Sequence, residues 1–112
     1  MSLFFGKKYA VRDIPASTRG YIKAELEWIE KAHEEQRCSG YLYAKAVAGK
    51  KALTSEKLSK KDIRTLYEIV LAMREMMEET EGEERTAEEF AAYTRLMRNN
   101  TDARNILKGM LG

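Results

Sequence analysis

At 112 residues, 44% of them apolar and 34% charged, the chain holds one domain and is too apolar to remain unfolded. Twenty basic residues against eighteen acidic ones leave a net charge of +2, which neither demands nor excludes a nucleic acid partner. No run approaches the ~18 apolar residues of a membrane span, a single Cys excludes an internal disulfide framework, and a single His excludes a site built from several histidines of one chain.

Leu3, Phe4 and Phe5 are too few for the apolar region of a signal peptide, and Lys7 and Lys8 follow rather than precede them. The expected location is therefore a reducing cytoplasm, with Cys38 a free thiol. Residues 1–14 read as an arm. Phe4, Phe5, Tyr9, Val11 and Ile14 share no single period, although Tyr9 and Val11 alternate as a short extended stretch would. Pro15 pushes residue 14 toward extended geometry and forbids a helix running through from the arm.

A first helix is expected from there, capped by Ser17 or Thr18. Ile22, Leu26, Ile29 and His33 form one stripe and Tyr21, Ala24, Trp28 and Ala32 an adjacent one. Cys38-Ser39-Gly40 should end it, with Gly40 as the left-handed stop. Tyr41–Ala48 is apolar and rich in Ala, which predicts a two-turn buried helix broken by Gly49-Lys50-Lys51, and 52–58 reads as a connector.

The third helix has the clearest start in the chain. Ser59 and Asp62 have capping-box spacing, and Leu58 and Ile63 occupy the staple positions. Ile63, Leu66, Tyr67, Val70, Met73 and Met77 mark its face, with fraying near Thr80 and a stop at Gly82. Thr86 and Glu89 form a second capping box opening a fourth helix along Phe90, Tyr93 and Met97. Asn99-Asn100 reads as a break, and Thr101 as the cap of a short final helix carrying Ile106, Leu107, Met110 and Leu111. The fold class is all-α: a compact bundle of four to five helices over residues 15–112, preceded by the short N-terminal arm 1–14.

Charge is strongly blocked along the chain. Residues 25–36 carry five acids and one base, 37–64 eight bases and two acids, and 74–89 eight Glu against Arg74 and Arg85. The basic block suggests a nucleic-acid face through Lys50, Lys51, Lys57, Lys60 and Lys61. A simple helix-turn-helix does not fit, because Lys45 stands where a small residue should precede Gly49, and the next helix start lies ten residues on. A phosphate loop does not fit either, since Gly49-Lys50 is followed by Lys51 instead of Ser or Thr.

Glu30 and His33 share a helical face at the spacing of half a di-iron signature, but further carboxylates would have to point into the same core, and Glu68 falls opposite the apolar face of its helix. Cys38 lies near a helix C-terminus, which raises a thiol pKa, so a Cys38–His33 nucleophile is not expected. No catalytic constellation, cofactor motif or metal set is visible. The expected function is thus a non-enzymatic one: an adaptor or regulatory subunit acting by protein–protein interaction, with itself as the first candidate partner and no membrane partner. Its interface would be made by Phe4, Phe5, Tyr21, Trp28 and Met76: Phe4, Phe5, Trp28, Met76 and Leu111 do not all have a natural place in so small a core, Tyr21 and Trp28 lie at the margin of the first helix's face, and Met76 lies off the main stripe of the third. The alternative is a nucleic-acid-binding regulator using residues 45–64.

Overall fold

The computed structural model describes residues 9–112. A two-residue strand β1 (Tyr9–Ala10) and a 3-10 turn (Val11–Asp13) lead into helix α1 (Ala16–Glu34), followed by α2 (Gly40–Leu53), strand β2 (Lys57–Leu58), α3 (Lys60–Glu79) and α4 (Ala87–Leu111). The described residues thus form an all-α bundle with a short N-terminal arm. No described helix is long and apolar enough to cross a membrane.

The arm is stitched to the bundle. Tyr9 and Ala10 pair antiparallel with Leu58 and Lys57, the Val11 amide donates to the Glu56 carbonyl at 2.9 Å, and the Tyr9 hydroxyl donates to the Met110 carbonyl at 2.7 Å. Ile14 is fully buried, so the end of the arm belongs to the core. Phe4 and Phe5 lie outside the described residues.

Both capping boxes form as their spacing implies. Ser59 accepts from the Asp62 amide and Asp62 accepts from the Ser59 amide. Thr86 and Glu89 do the same at the start of α4, and these bonds hold the Glu89 carboxyl below its ordinary pKa. Leu58 and Ile63 at the staple positions are both fully buried.

Four local expectations are corrected. First, α1 has Pro15 at its N-cap and no side-chain cap, so neither Ser17 nor Thr18 caps it; Thr18 is buried instead. Second, α1 ends at Glu34, where Gln36 takes the left-handed conformation (φ 59°) and the Gln36 and Arg37 amides return to the His33 and Ala32 carbonyls. Gly40 is not a stop: Ser39 accepts from the Leu42 amide at 3.2 Å, which makes Gly40 the first residue of α2.

Third, α2 runs through Gly49-Lys50-Lys51 to Leu53. Its inner face is Leu42, Ala46, Gly49 and Ala52 at helical spacing, and the last three are small enough to let it approach α1 and α3 closely. A Cβ at Gly49 would lie 3.0 Å from Ile69 Cδ1 and 3.2 Å from Leu66 Cδ2. The close packing keeps a glycine in the helix despite its low propensity. Fourth, α4 is continuous through Asn99-Asn100, because Asn100 finds its hydrogen bonds in the core rather than in a turn.

The core is built from one face of each helix, led by Ile22, Leu26 and Ile29 of α1, Ile63, Leu66, Ile69 and Val70 of α3, and Ala103 and Leu107 of α4. Every fully buried α4 side chain lies in its C-terminal half. The N-terminal half packs on the end of α3, with the Tyr93 hydroxyl donating to the Met77 carbonyl at 3.1 Å, and leaves Phe90 and Leu96 exposed.

The Gly49 contact makes a stability prediction. Gly49→Val should lower unfolding free energy by about 2 kcal/mol through overpacking against Ile69 and Leu66. Gly82→Ala, in open space, should stay within about 0.5 kcal/mol of the parent. Chemical denaturation of both variants checks the contrast.

Candidate functional site: an apolar groove over a buried carboxylate

The groove lies between α1, α3 and α4. α1 contributes Tyr21, Ala24, Glu25 and Trp28, which share a face at i, i+3, i+4 and i+7. α3 contributes Met73, Met76, Met77 and Thr80, and Leu96 of α4 completes the wall. The cavity measures about 410 Å³, and its lining is almost wholly apolar. Trp28 is 40% exposed and Leu96 47%. Arg37 lies over the Trp28 ring at 5.4 Å and pairs with Glu35 at 2.6 Å, so it fixes the outer edge of the indole.

Beneath the apolar surface sits a polar cluster. Glu25 is 5% exposed and Asn100 fully buried. Glu25 Oε2 accepts from the Tyr21 hydroxyl and, at 3.1 Å, from Asn100 Nδ2, which also donates to the Val70 carbonyl at 3.0 Å. Glu25 Oε1 and Asn100 Oδ1 are both buried without a partner. Burial outweighs the two hydrogen bonds and pushes the Glu25 carboxyl up to about 7. The Tyr21 hydroxyl is raised as well, first by its own burial and then by the Glu25 charge.

Three of the expected interface residues, Tyr21, Trp28 and Met76, are brought together in this groove. The periodicity of α1 placed Tyr21 and Trp28 at the margin of its face, and that of α3 placed Met76 off the main stripe; such margins are where grooves form. Glu25 was missed as one charge among many on the polar side of α1, although it stands four residues after Tyr21 and three before Trp28, within the marginal apolar stripe. Asn100 was read as a breaker, although it continues the Leu96, Ala103, Leu107 face.

The basic segment is dispersed. Lys50 is drawn to Glu30 at 3.1 Å and Lys45 to Glu68 at 2.9 Å, the latter bond raising the Lys45 pKa. Lys51 lies in the last turn of α2, Lys57 lies on β2, and Lys60 and Lys61 open α3; all four are exposed and take no ion pair among the described residues.

Glu30 is thus an ion-pair partner, and His33 stacks on Tyr43 with ring centroids 3.9 Å apart. Cys38 Sγ donates to the Ile29 carbonyl at 3.6 Å. Among the described residues no group of three His, Cys, Asp or Glu could hold a metal ion. Comparison with known proteins gives no match: no family model, no curated protein and no solved structure is similar to this chain.

The raised Glu25 carboxyl links stability to pH. The folded state holds a proton that the unfolded chain releases near 4.5, so between about 4.5 and 7 the native state binds more protons and this group's contribution falls as pH rises. Glu25→Gln keeps an uncharged group of the same shape and adds donors to a cluster with two unpartnered acceptors. At pH 8 the variant should be more stable than the parent by about 2–3 kcal/mol, and near pH 4 the gap should close. Denaturant midpoints across pH 4–8 measure it; a constant gap would mean that the Glu25 carboxyl titrates alike in the native and unfolded states.

Proposed function

We propose that this is a non-enzymatic docking module, an adaptor or regulatory subunit, which binds a helix of a protein partner in the groove between α1, α3 and α4. The observation that carries the reading is the convergence of Tyr21, Trp28, Met76, Met77 and Leu96 on one open apolar cavity. Contiguous apolar surface of this kind marks interaction sites. Met side chains re-pack around varied partners, and aromatic residues are enriched among interface anchors. The walls run from Tyr21 to Trp28 and from Met73 to Thr80, about 10 Å each, the length of two helical turns. A second copy of the chain is one candidate partner.

Trp28 is the only tryptophan, so its emission reports on the groove directly. An amphipathic helical peptide should shift that emission to the blue. Leu96→Gln, at an exposed wall position, should weaken peptide binding about tenfold and leave the folding midpoint unchanged. Sedimentation of the parent over a concentration series reads self-association, which the same substitution should reduce if copies meet through the groove.

A second reading, nucleic-acid binding, is supported by Lys51, Lys57, Lys60 and Lys61. Four phosphate contacts would give a log–log salt slope near −3.6 on duplex DNA. Lys60→Glu with Lys61→Glu should then lower both affinity and slope. Equally poor binding by parent and variant near about 150 mM salt, where surface charges are screened beyond ~8 Å, leaves the protein-docking reading in place.

A further inference from the structure

We propose that the groove's occupant is a cationic amphipathic helix of another polypeptide, its apolar face on Trp28, Met76 and Leu96, its basic side chains against the acidic loop beyond Thr80, and one long cationic side chain reaching Glu25. The proposal rests on the docking reading and adds the chemistry of the partner.

The first observation is where the negative charge lies. Thr80 lines the groove and caps α3. The chain around it carries Glu79, Glu81, Glu83 and Glu84, all exposed and without an ion pair among the described residues. The carbonyl end of the α3 dipole adds to the same field. Arg85, the loop's one cation, is held inward: Nη2 donates to the Thr80 carbonyl at 2.7 Å, and the guanidinium lies over the Tyr93 ring at 3.9 Å. The last turn of α3 has no basic residue of its own, and Arg85 meets only the Thr80 carbonyl there, so four glutamates gather at the helix end that the dipole makes least favourable to them. Helix stabilisation therefore does not account for the acidic end, whereas a basic partner does.

The second observation is independent of the loop. Glu25 lines the groove, is 95% removed from solvent by its 5% exposure, and has an oxygen with no hydrogen-bond partner. A buried acceptor left open is costly. The terminal torsion of a glutamate is broad, so a small rotation turns that oxygen toward the cavity. A lysine or arginine on the occupant's apolar face has the length to reach the floor between Trp28 and Met76 and the donors to satisfy it.

The same field selects against other occupants. A phosphate backbone or an anionic surface would be repelled by it. Two copies meeting groove to groove would bring two acidic loops into one interface, which like-charge repulsion opposes.

The test uses the full chain with Trp28 as the probe. Two helical peptides of roughly 16 residues, long enough to hold a helix, share one apolar face; one is flanked by lysines, the other by glutamates. At about 20 mM salt the lysine peptide should bind at least tenfold more tightly, and the gap should close toward about 1 M, where the Debye length falls to ~3 Å. Glu81→Gln with Glu83→Gln and Glu84→Gln, all at exposed positions, should lower lysine-peptide affinity several-fold. A third peptide carries a lysine in place of the central apolar residue; the parent should prefer it over its norleucine counterpart, and Glu25→Gln should remove the preference. Equal binding of lysine- and glutamate-flanked peptides, with sensitivity to Leu96→Gln, would overturn the cationic partner and leave apolar docking standing. Binding of neither would overturn both. A parent that sediments as a dimer which the lysine peptide cannot dissociate would make a second copy the occupant.

Discussion

Three helices meet at the Asn100 side chain, and the arrangement of the bundle depends on it. From inside α4 its amide nitrogen reaches the Val70 carbonyl of α3 and the Glu25 carboxyl of α1. Apolar packing alone is non-directional and tolerates rotation of one helix against another. A buried amide with two partners on two helices does not, because turning α4 by one residue would leave the Asn100 amide in the core without either partner. Neighbouring bonds reinforce the same level: Arg74 donates to Thr101 Oγ1 at 2.7 Å, tying α3 to α4 one residue beyond Asn100.

That clamp also explains the groove. It holds α4 against α1 and α3 at the level of Asn100, and below it Ala103 and Leu107 fill the core. On its N-terminal side α4 is joined to the end of α3 and the following loop, through Tyr93 to the Met77 carbonyl and Arg85 over the Tyr93 ring. The space left over is walled by the marginal residues of each helix, which is why Tyr21, Trp28 and Met76 line it together. The polar cluster and the apolar cavity are thus two consequences of one junction, and the unsatisfied oxygen of Glu25 lies between them.

The elements were legible wherever a signal was local. Ser59 with Asp62 and Thr86 with Glu89 located two helix starts because a capping box is completed within one turn. Apart from the start of α1, where Pro15 and not Ser17 or Thr18 takes the N-cap, the readings that failed turned on residues whose roles are tertiary. Gly49 resembles a breaker until Ile69 and Leu66 are placed against it, and Asn100 resembles a turn residue until Val70 and Glu25 supply its partners. Gln36 stands in the left-handed position that Gly40 was expected to fill, since the end of α1 is decided by the start of α2 at Ser39. Of the groove, the marginal aromatics and Met76 could be named from periodicity. Their convergence, and the carboxylate beneath them, required the relative placement of α1, α3 and α4.

Charge follows a similar division between local and tertiary control. The basic block of 37–64 looks continuous in sequence, yet Lys45 and Lys50 leave it for Glu68 and Glu30, so its middle is neutralised within the fold. These pairs are exposed and contribute little to stability, but they decide where charge remains. Positive charge stays at the end of the molecule where α3 begins, and negative charge at the end where it finishes, both against the α3 dipole. Thr80, at the negative end, lines the groove. An incoming helix would therefore meet attraction at one of its ends, which orients it along the groove before its apolar face is buried. The three Met side chains and Trp28 would set how much is buried, and Glu25, on the floor, would set which residue lies at the centre.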